Sequence, residues 1–410
     1  MASVAIDHML SLILLLGAMT VFINLFSQSI QTAILYQSQR AVSLKCSDLL
    51  DNILLTLGTP PDWGQTNDAP TTFGLQAPES SQSSLSPFSL MRLAPQAGNT
   101  LDYSRTNTLY SYTKVAFGES LYVPVDKTVS YNTALKLLGI NGTHGFQLTI
   151  APTISVSITE LQLNPLNLAI DVTGVGSSLA NAEINYNFMD VSIRADGYPA
   201  HTIIHGNTTT NKTGSTTISL PSFNGTTDSY ALIVYAKLNG LVGVGYHSRV
   251  LYDADYAVPL VSDFGTKQII MAHSWDTNGG TTPSAITFNS TFAIPAKDFT
   301  LREITVANAT SKIVGTLDPN GSSPFYEFAL DSDNPGILVT TYGKSGGSTE
   351  ESGIVVMPWG FGALPFWSTF GGDPTTQSSV ATDIRQVTIN GIAYQVKLSL
   401  WSSQEYQVIN

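Results

Sequence analysis

The chain holds one cysteine, Cys46, in 410 residues. A lone thiol excludes an intrachain disulfide framework and a thiolate zinc cluster, so stability has to come from burial. Charge is scarce too. Asp, Glu, Lys and Arg make up 12% of the residues, against roughly a quarter in average globular proteins. Ser, Thr, Asn and Gly fill the polar positions instead, a profile that suits an extracellular, β-rich protein. Positive charge is the scarcest, 18 Lys and Arg against 30 Asp and Glu, for a net charge of −12. With no basic stripe to release counterions from phosphates, nucleic acid is not an expected partner. No H-E-x-x-H or P-loop pattern occurs, and the chain is expected to use no cofactor or metal and to be no enzyme.

What is present is a long apolar run. Residues 9–39 carry no charged side chain, and the first eighteen are almost wholly apolar. That is enough to span a bilayer, which takes about 20 helical residues at about 1.5 Å rise. A cleaved secretory signal has a basic start, a short apolar run and a small-x-small cleavage site, and none of the three stands out here. The segment 27–57 contains neither Pro nor Gly, and Leu35, Val42, Cys46, Leu49, Ile53 and Leu57 recur at helical spacings. The pattern predicts one continuous helix that ends at Gly58, with Pro60 and Pro61 forbidding continuation. Arg40 and Lys45 alone would place the C-terminal side in the cytoplasm. The Ser/Thr-rich, cysteine-poor remainder outweighs them and predicts an outward-facing head at the cell surface.

The stretch "AIDHMLSLILLLGAMTVFINLFSQSIQTAILYQSQRAVSLKCSDLLDNILLTLGTPPDWG" resembles the N-terminal part of archaeal type IV pilin-like surface proteins. There an apolar helix runs into an amphipathic half that ends in a Gly/Pro-Trp turn. The resemblance covers about 60 residues and implies an extracellular filament subunit whose apolar helices pack together as the core. It also implies that an acidic residue near the start helps set subunit register. With a chain trimmed after Ala2, Asp7 would stand fifth and take that role, although no basic leader precedes the helix. Thr20, Asn24, Ser27 and Gln28 are polar residues inside or beside the apolar run, costly against lipid and common in helix contacts. Self-association through the N-terminal helix, with Asp7, Asn24 and Gln28 as candidate assembly residues, is therefore expected. The alternative is a single-span, membrane-anchored adhesin or stalk that binds glycan or protein.

Beyond the helix (1–58) three regions are expected. Residues 59–150 are rich in turn formers and read as an irregular wrap with a few strands. Residues 151–253 alternate apolar and polar over some seven short strands, as in an immunoglobulin-like (Ig-like) sandwich. Residues 254–410 read as a second β-sandwich that shares strands with the wrap, with Asn390-Gly391 as a hairpin turn. The fold class is thus mainly β, with a long N-terminal α-helix followed by two β-sandwich domains, at least one Ig-like.

Candidate sites are few. N-glycosylation sequons place acceptors at Asn141, Asn207, Asn211, Asn224, Asn289, Asn308 and Asn320. Trp359, Phe361, Phe366, Trp367 and Phe370 cluster among glycines and form either core or an apolar contact patch. His201 and His205 would lie on one strand face roughly 13 Å apart, too far for one metal without a bend. Asp253 and Asp255 offer a carboxylate pair for glycoside hydrolysis only if they converge. The run 331–336 has a calcium-loop flavour, but Tyr342 stands at the twelfth position, where the motif needs an acid. Cys46, on the amphipathic stripe, reads as a small buried hydrophobe rather than an interchain disulfide or lipidation site.

Overall fold

A computed structural model of the chain describes residues 2–78, 83–93, 100–116, 119–194, 196–278, 283–304, 313–321, 323–330, 332–377 and 379–403. The first element, α1 (Ala2–Leu55), is one unbroken helix, about 80 Å long. It stops two residues before the sequence predicts because the following segment takes over its last carbonyls. The Leu75 N–H donates to the Ile53 carbonyl at 2.8 Å and the Gln76 N–H to that of Thr56 at 2.9 Å. Gly58 then turns the chain back with φ +79°, against the buried Trp63 ring. A Cβ at Gly58 would lie 2.8 Å from the Trp63 Nε1, so both conformation and space demand glycine.

The wrap continues through α2 (Pro87–Met91), β1 (Thr100–Tyr103), β2 (Thr108–Ala116), β3 (Glu119–Pro124), α3 (Tyr131–Leu137) and β4 (His144–Pro152). Next come β5 (Ser155–Gln162), β6 (Leu166–Gly174), β7 (Ser177–Ser178), β8 (Glu183–Ile193), β9 (Pro199–Thr209), β10 (Ser215–Leu220), β11 (Tyr230–Leu238) and β12 (Leu241–Arg249). They form an Ig-like sandwich, a β10-β6-β5 sheet with β7 on β6, against a β12-β11-β8-β9 sheet. Its core follows the period-two pattern: Leu166, Leu168, Ile170 and Val172 of β6 meet Phe188, Leu232 and Val234. β11 breaks the alternation, since Ala231, Ile233 and Tyr235 on its other face are buried against the rest of the head.

The last third supplies β13 (Ala257–Asp263), β14 (Gln268–His273), α4 (Ser274–Asn278), β15 (Ile286–Pro295), β16 (Leu301–Ile304), β17 (Ile313–Leu317) and β18 (Phe325–Ala329). After these come β19 (Gly336–Lys344), β20 (Ser352–Trp359), β21 (Ser368–Gly371), β22 (Ala381–Ile389) and β23 (Ile392–Ser402). A β1-β2-β3-β13-β14-β18 sheet faces a β16-β15-β19-β20 sheet, with β17 added on β15. Tyr256 meets Tyr342 and Phe288 meets Tyr326 across this second sandwich. β3 joins β13 in parallel at Tyr122 and Leu260, so the 59–150 region supplies half of one of its sheets.

A fifth sheet, β21-β4-β23-β22, holds the helix. Cys46, Leu49, Leu50, Ile53 and Leu54 are buried in the head, and the Cys46 thiol donates to the carbonyls of Leu398 and Ala381 at 3.6 and 3.7 Å. The Arg385 Nη2 donates to the Ser47 Oγ at 3.0 Å and lies 3.4 Å from Asp51 Oδ1. β22 and β23 meet in a tight hairpin whose Asn390 and Gly391 both have positive φ, as a type I′ turn requires.

The aromatic cluster is core. Trp359, Phe361, Phe366 and Phe370 are 5% exposed or less, which removes them as a contact patch, and Trp367 alone is exposed, at 63%. Trp359 packs on Phe88 and Phe264, and Phe370 on Phe73, Tyr131 and Phe146. These rings glue the wrap to the sheets behind it. Arg92 locks the same wrap. Its guanidinium donates to the carbonyls of Trp63, Thr66, Asp68 and Lys127 and lies over the Trp63 ring at 5.3 Å. Burial pulls it down to about 10, still charged at neutral pH.

Two substitutions test this packing by denaturant unfolding of the detergent-solubilised chain. Leu50→Ala is expected to destabilise the head by about 2–5 kcal/mol, the cost of a large-to-small change in a closed core. Arg92→Lys keeps the charge but not the fork, leaving buried carbonyls dry at about 1–3 kcal/mol each. An unfolding midpoint unchanged by either would contradict the assigned contacts.

Candidate functional site: the exposed helix

The feature with most unsatisfied chemistry is the part of α1 outside the head. From residue 6 to residue 41 the helix is exposed almost throughout. Leu14 is 67% exposed, Phe22 70% and Tyr36 68%. Among the described residues it is the helix long and apolar enough to cross a membrane. Water does not tolerate such a surface, so something else covers it.

A membrane would cover only part. The uncharged stretch 9–39 is about 46 Å long, against a hydrocarbon core of about 30 Å. Fitting it all into lipid would take a tilt of about 50°, beyond the roughly 0–40° found for membrane helices. On the order of ten residues are left outside, where Ile30, Ile34 and Leu35 are 44–53% exposed. The polar groups are as telling. The Thr20 and Thr32 hydroxyls donate to carbonyls of their own helix, both at 2.8 Å. The side-chain amides of Asn24, Gln28 and Gln31 have no hydrogen-bond partner among the described residues. Thr20, Asn24, Ser27, Gln28 and Gln31 recur three or four apart and share one side of the helix. Asp7 is exposed at its beginning.

Two open grooves flank α1 where it enters the head. One, of about 440 Å³, runs between Leu44 and Asp48 on the helix and the 138–140 loop. The other, of about 410 Å³, lies between Val42 and Ser43 and residues 379–381. Both continue the exposed sides of the helix into the head.

The remaining sequence candidates do not converge. His201 is buried, its Nε2 3.1 Å from Glu303 Oε1, whereas His205 is exposed and its Nδ1 meets Asn187 Oδ1 at 2.7 Å. Asp253 is exposed. Asp255 is buried and structural, its Oδ2 accepting from the Tyr252 hydroxyl and the Ser284 N–H. Among the described residues no group of three or more His, Cys, Asp or Glu is placed to hold a metal ion. Asp331, the first residue of the calcium-like run, lies outside the described residues. Cys46 is fully buried. Asn141, Asn207, Asn211, Asn224 and Asn320 are exposed, and Asn308 lies outside the described residues. Asn289 is 1% exposed in β15 and cannot carry a glycan in this fold. Gly343-Lys-Ser-Gly-Gly347 matches the G-x-S-x-G pattern in form, but Ser345 sits in the hairpin turn between β19 and β20. A nucleophile elbow needs strand, sharp turn and helix.

Sequence reasoning did not anticipate Asp190. Its Oδ1 is buried without a hydrogen-bond partner. Burial first, and the Asp228 charge second, push its carboxyl up to about 6. The folded chain keeps a proton there that the unfolded chain releases near pH 4, so this stabilising term is full below that pH and is lost as pH rises through about 6. The unfolding midpoint is expected to fall between pH 4 and pH 7, and Asp190→Asn to remove that part of the fall. An identical pH profile in the variant would refute the assignment.

No family model and no curated protein matches the chain. Among solved structures, red sea bream transglutaminase aligns with 62% of this chain and 37% of its own, at 8% identity and a TM-score of 0.18. E. coli alpha-2-macroglobulin aligns with 71% of this chain and 24% of its own, at 9% identity and a TM-score of 0.21. The chain thus spans about a third and a quarter of these proteins, and likeness this low carries no argument about what it does.

Proposed function

We propose that the chain is the structural subunit of an extracellular, type IV pilus-like filament, with the exposed part of α1 as the assembly core and the β-rich head displayed outside. One observation carries the proposal: an uncharged, exposed helical stretch about half again as long as a membrane needs. Copies of the same helix satisfy what lipid leaves over. Packed side by side, they cover Ile30, Ile34, Leu35 and Tyr36 and give the amides of Asn24, Gln28 and Gln31 partners across the interface. The grooves beside the neck leave room for neighbouring helices to pass. Asp7 stands where an acidic residue can set the register between copies.

Negative-stain microscopy of native surface material, beside a chain lacking residues 1–57, tests the proposal. Filaments in the first and none in the second are expected, whereas uniform monomers in native material would leave α1 a single-span anchor. Leu35→Glu separates the two readings further. In an assembly it buries a charge and abolishes filaments. On a solitary anchor it lies in water and shifts stability by no more than about 0.5 kcal/mol. Filaments that persist in Leu35→Glu would overturn the packing described.

A further inference from the structure

Among the described residues β9 and β10 are edge strands of the two sheets of the Ig-like sandwich, with β12 and β5 as the edges at the opposite ends of those sheets. β9 pairs with β8 alone among the described residues, and β10 with β6 alone. Proteins protect such edges with charges, lysine above all, with proline or with a covering segment, because bare N–H and C=O groups recruit other strands. Pro199 opens β9, and beyond it residues 200–209 of β9 and 215–220 of β10 contain no Asp, Glu, Lys, Arg or Pro. β9 also leaves Ile204 37% exposed. The two edges come together at one corner, where the hydroxyls of Thr208 and Thr216 meet at 3.3 Å. Two sequons sit at that corner. Asn207 lies on β9 itself and Asn211 at the tip of the β9–β10 loop, and both are exposed together with Thr209 and Thr213 of their motifs.

The loop presents Asn211 for modification. Its Oδ1 accepts from the Thr213 N–H at 2.8 Å, from the Thr213 hydroxyl at 2.6 Å and from the Ser215 N–H at 3.1 Å. The carboxamide oxygen is thereby held toward the loop, and the nitrogen is left without a partner among the described residues. We infer that Asn207 and Asn211 carry N-linked oligosaccharides that cover the β9 and β10 edges of the sandwich where they meet. The donor is a lipid-phosphate-linked oligosaccharide. The Asn Nδ2 forms a bond to its anomeric carbon, the bond from that carbon to the phosphate oxygen breaks, and the lipid phosphate leaves with the electron pair. The Nδ2 proton passes to solvent. A sugar chain at these positions is hydrated and bulky, and it stands in the path of a strand approaching either edge.

The buried Asn289 supplies an internal control, because a glycan there is incompatible with the packed β15 strand. Full-length chain isolated from its own cells is digested and mapped by mass spectrometry, with Asn207→Gln and Asn211→Gln to separate the two positions. Trypsin releases 195–212, which holds both sites. That peptide is expected to carry two oligosaccharides in the wild type and one in each variant, with the Asn289 peptide bare. An unmodified Asn207 or Asn211 in the wild type, or an oligosaccharide on Asn289, would overturn the inference.

Discussion

The grip of the β21-β4-β23-β22 sheet on the last third of α1 is the interaction on which the rest depends. Cys46, Leu49, Leu50, Ile53 and Leu54 close one stripe of the helix against the sheet, and that burial fixes where the helix leaves the head. It also draws the chain together. β4 lies before the Ig-like sandwich in sequence, whereas β21, β22 and β23 lie at the far end, so the whole of β5–β20 is inserted between strands of one sheet. A rigid helix held at one end by strands so distant in sequence cannot loosen without opening the head. Force applied to the exposed part of α1 is delivered into the middle of the fold.

The second constraint is the mismatch between helix and solvent. Burial stops near residue 42, but the apolar character runs back to residue 6. A bilayer core would account for about two thirds of the 9–39 length. The remainder mixes Ile, Leu and Tyr with Gln and Ser, too apolar for water and too polar for lipid. That mixture fits a helix–helix contact, where small and amide side chains pair across the interface and the aliphatic ones pack. The filament proposal rests on this mixture and on the length, and the head could be exchanged for another without affecting it.

Much of this was legible in the sequence, for physical reasons. The helix was, because an uncharged run without proline leaves the backbone no alternative in a membrane-like environment. The Ig-like strands were, because alternation reports a half-buried sheet, and the Asn390-Gly391 turn was, because few dipeptides adopt positive φ twice. The pairing of β4 with β23, and of β3 with β13, was not, since nothing local records which distant strand completes a sheet. The helix end was misplaced by two residues because Leu75 and Gln76 decide it from outside. The sites were less legible still. A sequon reports chemistry but not burial, and Asn289 reads like Asn211 until its strand is seen between neighbours. The aromatic cluster was ambiguous for the same reason, and packing resolved it into four core residues and one exposed Trp367. Asp190 gave no signal, because the burial that chiefly raises its carboxyl, and the Asp228 charge that adds to it from 38 residues away, are set by the fold.

The central claim is that residues beyond the reach of lipid are buried between copies of the chain. Gln31→Cys and Leu35→Cys, introduced one at a time, report on it directly, since the natural Cys46 is buried and does not compete. Labelling intact native surface material with a membrane-impermeant maleimide is the measurement, with detergent-dispersed chain as the reference. The account predicts that both positions are protected in native material and react readily once the chain is dispersed. Equal, rapid labelling in the two preparations would place 31 and 35 in open water and contradict it.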